Sequence, residues 1–224
     1  METEKQISSQ SHPKKLSFNN ERDVQLMLRV NDGDSTAMED LYHIYRKPIL
    51  NFFYHLVWNQ EKAEDYMQEV FLRVWRVENY QPTGKFSTWI FQIAKNFWLN
   101  EREKIQRRPS HFSLDEEKSS EEGGESFSTD VEGKEVPPQE QLLKDELHTQ
   151  IQKAIDGLSE KHKLVYLLSE YQGFKYQEIA DIVGIPVGTV KSRMSNAEKE
   201  LRRRLARYLD LEEVPAPTDE SEES

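Results

Sequence analysis

Cysteine is absent from this 224-residue chain, which excludes a disulfide framework and thiolate chemistry. Zinc would have to be held by carboxylates and six scattered histidines, so neither a metal nor a cofactor is expected. No stretch approaches the roughly 18 apolar residues of a membrane span, and the N-terminal METEKQISSQSHPKKL lacks the apolar run of a signal peptide. The expectation is a cytoplasmic protein without membrane insertion. Also missing are a Gly-rich phosphate loop, a nucleophile beside a base and an HExxH-like spacing. His43, His55, His148 and His162 stand isolated. These absences point away from an enzyme and leave no catalytic residue to name.

Positive charge is scarce overall, with formal net charge -11 and pI near 5.1, but the deficit is local. Residues 109–140 hold ten acidic side chains against two basic, and residues 211–224 hold six acidic and none basic. Residues 191–207 hold seven basic side chains against Glu198 and Glu200. A partner feels the local field more than the total, so an acidic protein can still carry a nucleic-acid surface. The segment from His111 to Glu140 is rich in Ser, Glu and Gly and closes with Pro137 and Pro138, which reads as a flexible acidic linker over 109–140. Residues 1–20 and the acidic tail 211–224 read as disordered. An all-α fold of two small helical domains, 21–108 and 141–210, remains.

The second domain is the more explicit. In YQEIADIVGIPVGTVKSRMSNAEKELRRRL, Tyr176 to Leu205, Ala180 offers a small side chain where two short helices cross, and Gly184 supplies a turn that favours positive φ. Pro186 suits the first turn of a helix starting near Val187. Val190, Met194, Ala197, Leu201 and Leu205 mark its buried stripe. Lys191, Ser192, Ser195, Asn196 and Lys199 project away from it, able to donate and accept hydrogen bonds in a major groove, with Arg193 on the flank. Arg202, Arg203, Arg204 and Arg207 follow, where guanidinium groups would meet phosphates. The pattern is that of a DNA-binding helix-turn-helix.

The first domain carries three signals. In AEDYMQEVFLRVW, Ala63 to Trp75, one helical face is Ala63, Tyr66, Met67, Val70 and Val74, with Val77 continuing it. The other face shows Glu64, Asp65, Gln68, Phe71, Leu72 and Trp75. Large apolar groups among charges suit a protein interface, or else another helix of the same domain. In FSTWIFQIAKNFWLNER, Phe86 to Arg102, Phe86, Ile90, Ile93 and Phe97 form an inward stripe, and Trp89, Asn96 and Asn100 run along its flank. Phe91, Lys95, Trp98 and Arg102 alternate rings with cations across the side expected to be exposed, as single-stranded nucleic acid would require. Between the two helices, Pro82 and Gly84 enforce a loop on which Tyr80 is expected to expose its ring to an unstacked base.

In their order and separation these motifs, with LSEKHKLVYLL from Leu158 to Leu168, resemble bacterial RNA polymerase sigma factors of the small extracytoplasmic-function type, over roughly 22–108 and 141–208. The resemblance implies a protein that binds the polymerase core through its clamp helices and flap, directs it to promoters and promotes melting. Asp65, Gln68, Glu69, Phe71 and Trp75 would lie in the core interface. Tyr80, Lys95, Asn96 and Asn100 would bind the non-template single strand of the -10 element. Lys191, Ser192, Arg193, Ser195, Asn196 and Lys199 would bind duplex DNA at -35. Family members commonly carry aliphatic, aromatic or basic residues at the reading positions, so Ser195 and Asn196 prevent a promoter sequence from being carried over. The resemblance also admits an anti-sigma factor as a partner, and implies a linker that threads through the polymerase. Two rival readings remain at this level: a free-standing helix-turn-helix regulator, and a helical adaptor that touches polymerase but not DNA. The first would bind duplex DNA alone, usually as a dimer, and the outward polar face of the last helix argues against the second.

Overall fold

The computed structural model describes residues 18–107 and 138–206. All regular structure among them is helical: α1 (Asn20–Asn31), α2 (Ser35–Val57), α3 (Gln60–Trp75), α4 (Phe86–Arg107), α5 (Pro138–Asp156), α6 (Glu160–Tyr166), α7 (Tyr176–Val183) and α8 (Val187–Leu205). A π-helical turn, Leu167–Tyr171, follows α6. The expected N-terminal segment, most of the linker, the acidic tail and Arg207 lie outside the described residues. No helix among the described residues is long and apolar enough to cross a membrane.

The boundaries follow local chemistry. Asn19 caps α1, its side chain accepting from the Arg22 amide at 3.2 Å. Asp34 caps α2 by accepting from the amides of Thr36 at 2.9 Å and Ala37 at 3.2 Å, satisfying two donors that the first turn leaves over. Asn59 caps α3 through the Lys62 amide at 2.8 Å. The first amide of α4 is met from far along the chain, Phe86 N donating to Asn20 Oδ1 at 2.8 Å, which ties the start of α4 to α1.

The core of the first domain is aromatic. Phe53 meets Tyr66 and Phe97 edge-on at 5.5 and 6.0 Å, and Phe52 meets Phe91 at 5.6 Å, the arrangement that ring quadrupoles favour. Tyr45, fully buried on α2, donates its hydroxyl to Asp23 at 2.6 Å, and Arg22 pairs with the same carboxylate at 3.1 Å. That pairing lets Asp23 lie buried. In the second domain the stripe Val190, Met194, Ala197 and Leu201 is buried as expected. Gly184 ends α7 at φ 77°, its amide donating to Ala180 O at 2.8 Å.

The two domains pack on each other. Phe174, just after the π-helical turn, is buried with its ring 4.9 Å from Phe91 of α4 and 6.1 Å from Phe18. Lys85 pairs with Glu178 at 2.6 Å, Gln92 Nε2 donates to Asp181 O at 2.8 Å, and Trp58 Nε1 donates to Asp156 Oδ1 at 2.9 Å. Trp58 closes α2 at φ 50°, left-handed backbone that a bulky residue rarely adopts.

His55 sits at this junction, 3.9 Å from the Tyr171 ring and 5.1 Å from Trp58. Burial pushes its pKa down to about 4, against the raising effect of the hydrogen bond to Asn51 O. The folded value is below the unfolded value of about 6.5, so the unfolded chain takes up this proton first as pH falls. Stability is therefore present above about 6.5 and lost toward about 4, by roughly 3 kcal/mol at most. Urea titrations at several pH values are expected to show that loss in the wild type and a flatter profile in His55→Phe.

Candidate functional site

The helix-turn-helix presents the face that the sequence implies. Lys191, Ser192, Ser195, Asn196 and Lys199 are all exposed on α8, and Arg193 is half-buried on the flank. Ser192 Oγ donates to Thr189 O at 3.0 Å, which leaves its oxygen free to accept. A Cβ added at Gly188, in the first turn of α8, would meet nothing within 4 Å. One of the expected phosphate contacts is spent inside the protein. Arg204 is half-buried and donates to Gly157 O at 2.8 Å and to Glu200 at 2.8 Å, because it lies where α8 passes the end of α5. Arg202 and Arg203 stay exposed, although Arg203 also pairs with Glu200.

On α3, Asp65, Gln68 and Trp75 are exposed, with Trp75 at 45% and its neighbour Leu72 at 47%. Glu69 is half-buried and pairs with Arg73 at 2.9 Å, whose guanidinium in turn lies 4.9 Å over the Phe97 ring. Phe71 corrects the expectation of a surface contact. It is 5% exposed and meets Tyr42 of α2 edge-on at 4.9 Å, because it borders the Met67–Val70–Val74 stripe and α2 closes over that edge. The exposed apolar pair is thus Leu72 and Trp75. Sequence reading also missed the groove beside it, a cavity of about 320 Å³ where Tyr42, Arg46 and Leu50 of α2 face Gln68 and Glu64. Nothing in α2's own periodicity singled those residues out.

The loop and α4 bring larger corrections. Asn96 and Asn100 are exposed, one turn apart on α4. Lys95 is half-buried, and burial holds its ammonium below the usual lysine range. Tyr80, expected to be an exposed ring, is 7% exposed and lies edge-on to Trp89 at 4.8 Å and to Phe86 at 6.0 Å. The expected exposed ladder of rings and cations is not there. Phe91 is fully buried and Trp98 is 4% exposed, because Phe52 and Phe174 enclose the first and Tyr66 flanks the second. Arg102 lies 5.5 Å over Trp98 and pairs at 3.3 Å with Glu160 of the other domain. Between the loop and α7 runs a cavity of about 660 Å³ lined by Tyr80, Thr88, Trp89 and Gln92 on one side and Gln177, Glu178 and Asp181 on the other. No group of three or more His, Asp or Glu placed to hold a metal occurs among the described residues.

Residues 32–108 match the family model of Sigma-70 region 2, and residues 148–201 match that of Sigma-70, region 4. The chain is 33% identical to the ECF RNA polymerase sigma factor SigW of Bacillus subtilis, over 79% of this chain and 93% of that protein. It is 31% identical to the RNA polymerase sigma-H factor of Pseudomonas aeruginosa, over 83% and 94%. Among solved structures, CnrH in complex with the cytosolic domain of CnrY superposes with TM-score 0.59 at 17% identity, over 85% of this chain and 99% of that one. The sigma factor RpoE from Bartonella quintana, in complex with NepR, does so at 0.56 and 22%, over 75% and 95%. At those identities the two structures speak for the fold.

Proposed function

The chain belongs to the RNA polymerase sigma factors of the extracytoplasmic-function type, and from that premise we propose how its surfaces divide the work. As a sigma factor it binds the polymerase core, directs it to specific promoters and promotes the melting that starts transcription. It acts by binding rather than by bond chemistry, in the cytoplasm where core and promoter are found. We assign residues 21–108 to core binding and the -10 element, and residues 141–210 to the -35 element, joined by the acidic segment 109–140.

Within the first unit, Trp75 and Leu72 with Asp65 and Gln68 dock on the clamp helices of the core, an apolar centre ringed by polar groups. Asn96 and Asn100, with Lys95 beside them, take the non-template strand of the -10 element, and Tyr80 with Trp89 walls the pocket for a base that leaves the stack. Within the second unit, Lys191, Ser192, Ser195 and Asn196 face the major groove at -35, while Arg193 and Lys199 meet phosphates. The flap of the core would carry this unit, and an anti-sigma factor would compete for the same faces.

The observation that carries the assignment is that Trp75 with Leu72, Asn96 with Asn100, and Lys191 with Ser192, Ser195 and Asn196 are exposed on three separate helices. Lys199 gives the test. In Lys199→Ala holoenzyme, affinity for a promoter duplex is expected to fall without a change of sequence preference. The slope of log affinity against log salt is expected to become shallower by about one. An unchanged slope would remove Lys199 from the DNA contact.

A further inference from the structure

We propose that Arg204 is a positioning residue for the -35 contact: its guanidinium is seated on the bare backbone of Gly157 and thereby fixes the angle at which α8 enters the major groove. The inference rests on the assignment of Lys191, Ser192, Ser195 and Asn196 to the -35 element.

The seat is built from both helices. Gly157 follows the last residue of α5, where carbonyls lack partners within the helix and the negative end of its dipole lies. Arg204 Nη2 donates to Gly157 O at 2.8 Å. The same guanidinium is held from behind by Glu200, one turn back on α8, with Nε donating to Oε1 at 2.8 Å and Nη2 lying 2.7 Å from that oxygen. One cation thus joins a carboxylate of α8 to the end of α5. Arg204 is half-buried in this position, whereas its neighbours Arg202 and Arg203 are exposed.

The glycine makes the room. A Cβ at position 157 would fall on Nη1 and Cζ of Arg204 and lie 2.8 Å from Nη2. The positive-φ glycines among the described residues are Gly33, Gly173 and Gly184. The backbone at Gly157 could therefore carry a side chain, and it is the guanidinium that excludes one.

The place of the contact along α8 gives it leverage. The buried residues Val190, Met194, Ala197 and Leu201 hold the helix by apolar packing, which is non-directional. A hydrogen bond to a fixed carbonyl adds direction near the far end. Ser192 and Asn196 precede Arg204 by about 18 and 12 Å along the axis, at 1.5 Å per residue. A pivot of about 10° at the clamped end would move Ser192 by about 3 Å, whereas such a site must be held within about 0.5 Å. Attraction to phosphates is long-ranged and survives such a shift.

Gly157→Ala tests this without touching a charge, since it evicts Arg204 from its seat and keeps every basic side chain of α8. Holoenzyme is titrated with a promoter duplex and with the same duplex scrambled at -35. The quantity read is the ratio of the two affinities, which a change in the folded fraction does not move. The ratio is expected to fall at least about fivefold, the least that one lost base contact costs. Arg204→Ala is expected to lower the ratio equally, with no change in the slope of log affinity against log salt. The double variant is expected to fall no further than either single one, because both remove the same contact. A wild-type ratio in Gly157→Ala would overturn the inference. A slope shallower by about one in Arg204→Ala would do so too, by making this residue a phosphate contact. Equal affinity of the wild type for the two duplexes would instead overturn the -35 assignment, so the two failures are told apart in different proteins.

Discussion

Trp75→Ala is expected to weaken binding of this sigma factor to core polymerase by about 2–4 kcal/mol, roughly 30- to 1000-fold in Kd, the range of a buried aromatic anchor. The indole is 45% exposed in the free chain, beside Leu72 at 47%, and the acids Asp65 and Glu61 with the amide of Gln68 provide a polar surround on the same helix. An aromatic group half in water gains most of its burial when a partner covers it. Because the ring is not part of the core cluster, its removal leaves no internal cavity, and the unfolding midpoint is expected to move little. Phe71→Ala is the informative contrast: its ring is buried against Tyr42, so its cost should appear in stability first. Titration of labelled core with each variant, alongside urea unfolding, separates the two. Core affinity near wild type in Trp75→Ala would remove this residue from the interface.

Asn96→Ala is expected to leave core affinity unchanged and to reduce formation of the open complex by roughly 5- to 150-fold, the cost of about 1–3 kcal/mol for one lost hydrogen-bonding contact to a base edge. Asn96 is exposed on α4, one turn before Asn100, while the buried residues next to it, Phe97 and Trp98, hold the helix in place. Its amide can therefore be lost without disturbing packing. Melting is driven by capture of bases that leave the stack, so a lost capture contact acts on the opened state and not on the docked, closed promoter. Permanganate footprinting of unpaired thymines on a fixed promoter reads this directly. Normal thymine reactivity in Asn96→Ala would place base capture elsewhere.

How far the sequence carried the structure depends on how local the determining physics is. Gly184 takes positive φ, Val187 opens the last helix, and the Val190–Leu201 stripe is buried. A turn, a cap and a stripe are each decided within a few residues. Phe71, Tyr80, Phe91 and Trp98 are buried where the sequence pattern suggests surface, for the opposite reason. Periodicity identifies a face but not what covers it, and the covers here are Tyr42 and Tyr66 on other helices, Trp89 across a loop, and Phe174 from the other domain. Phe174 follows a π-helical turn that no spacing rule announces. Arg204 sits in a run of arginines that suggests a phosphate contact, yet it donates to Gly157 O, 47 residues away.

The most direct measurement is run-off transcription with purified bacterial core polymerase, with and without this protein, on a pool of promoter fragments from the source genome. The expected result is protein-dependent transcription from a subset of fragments, with start sites that align to a shared pair of upstream elements. Complex formation with core but no protein-dependent transcript from any fragment would contradict it.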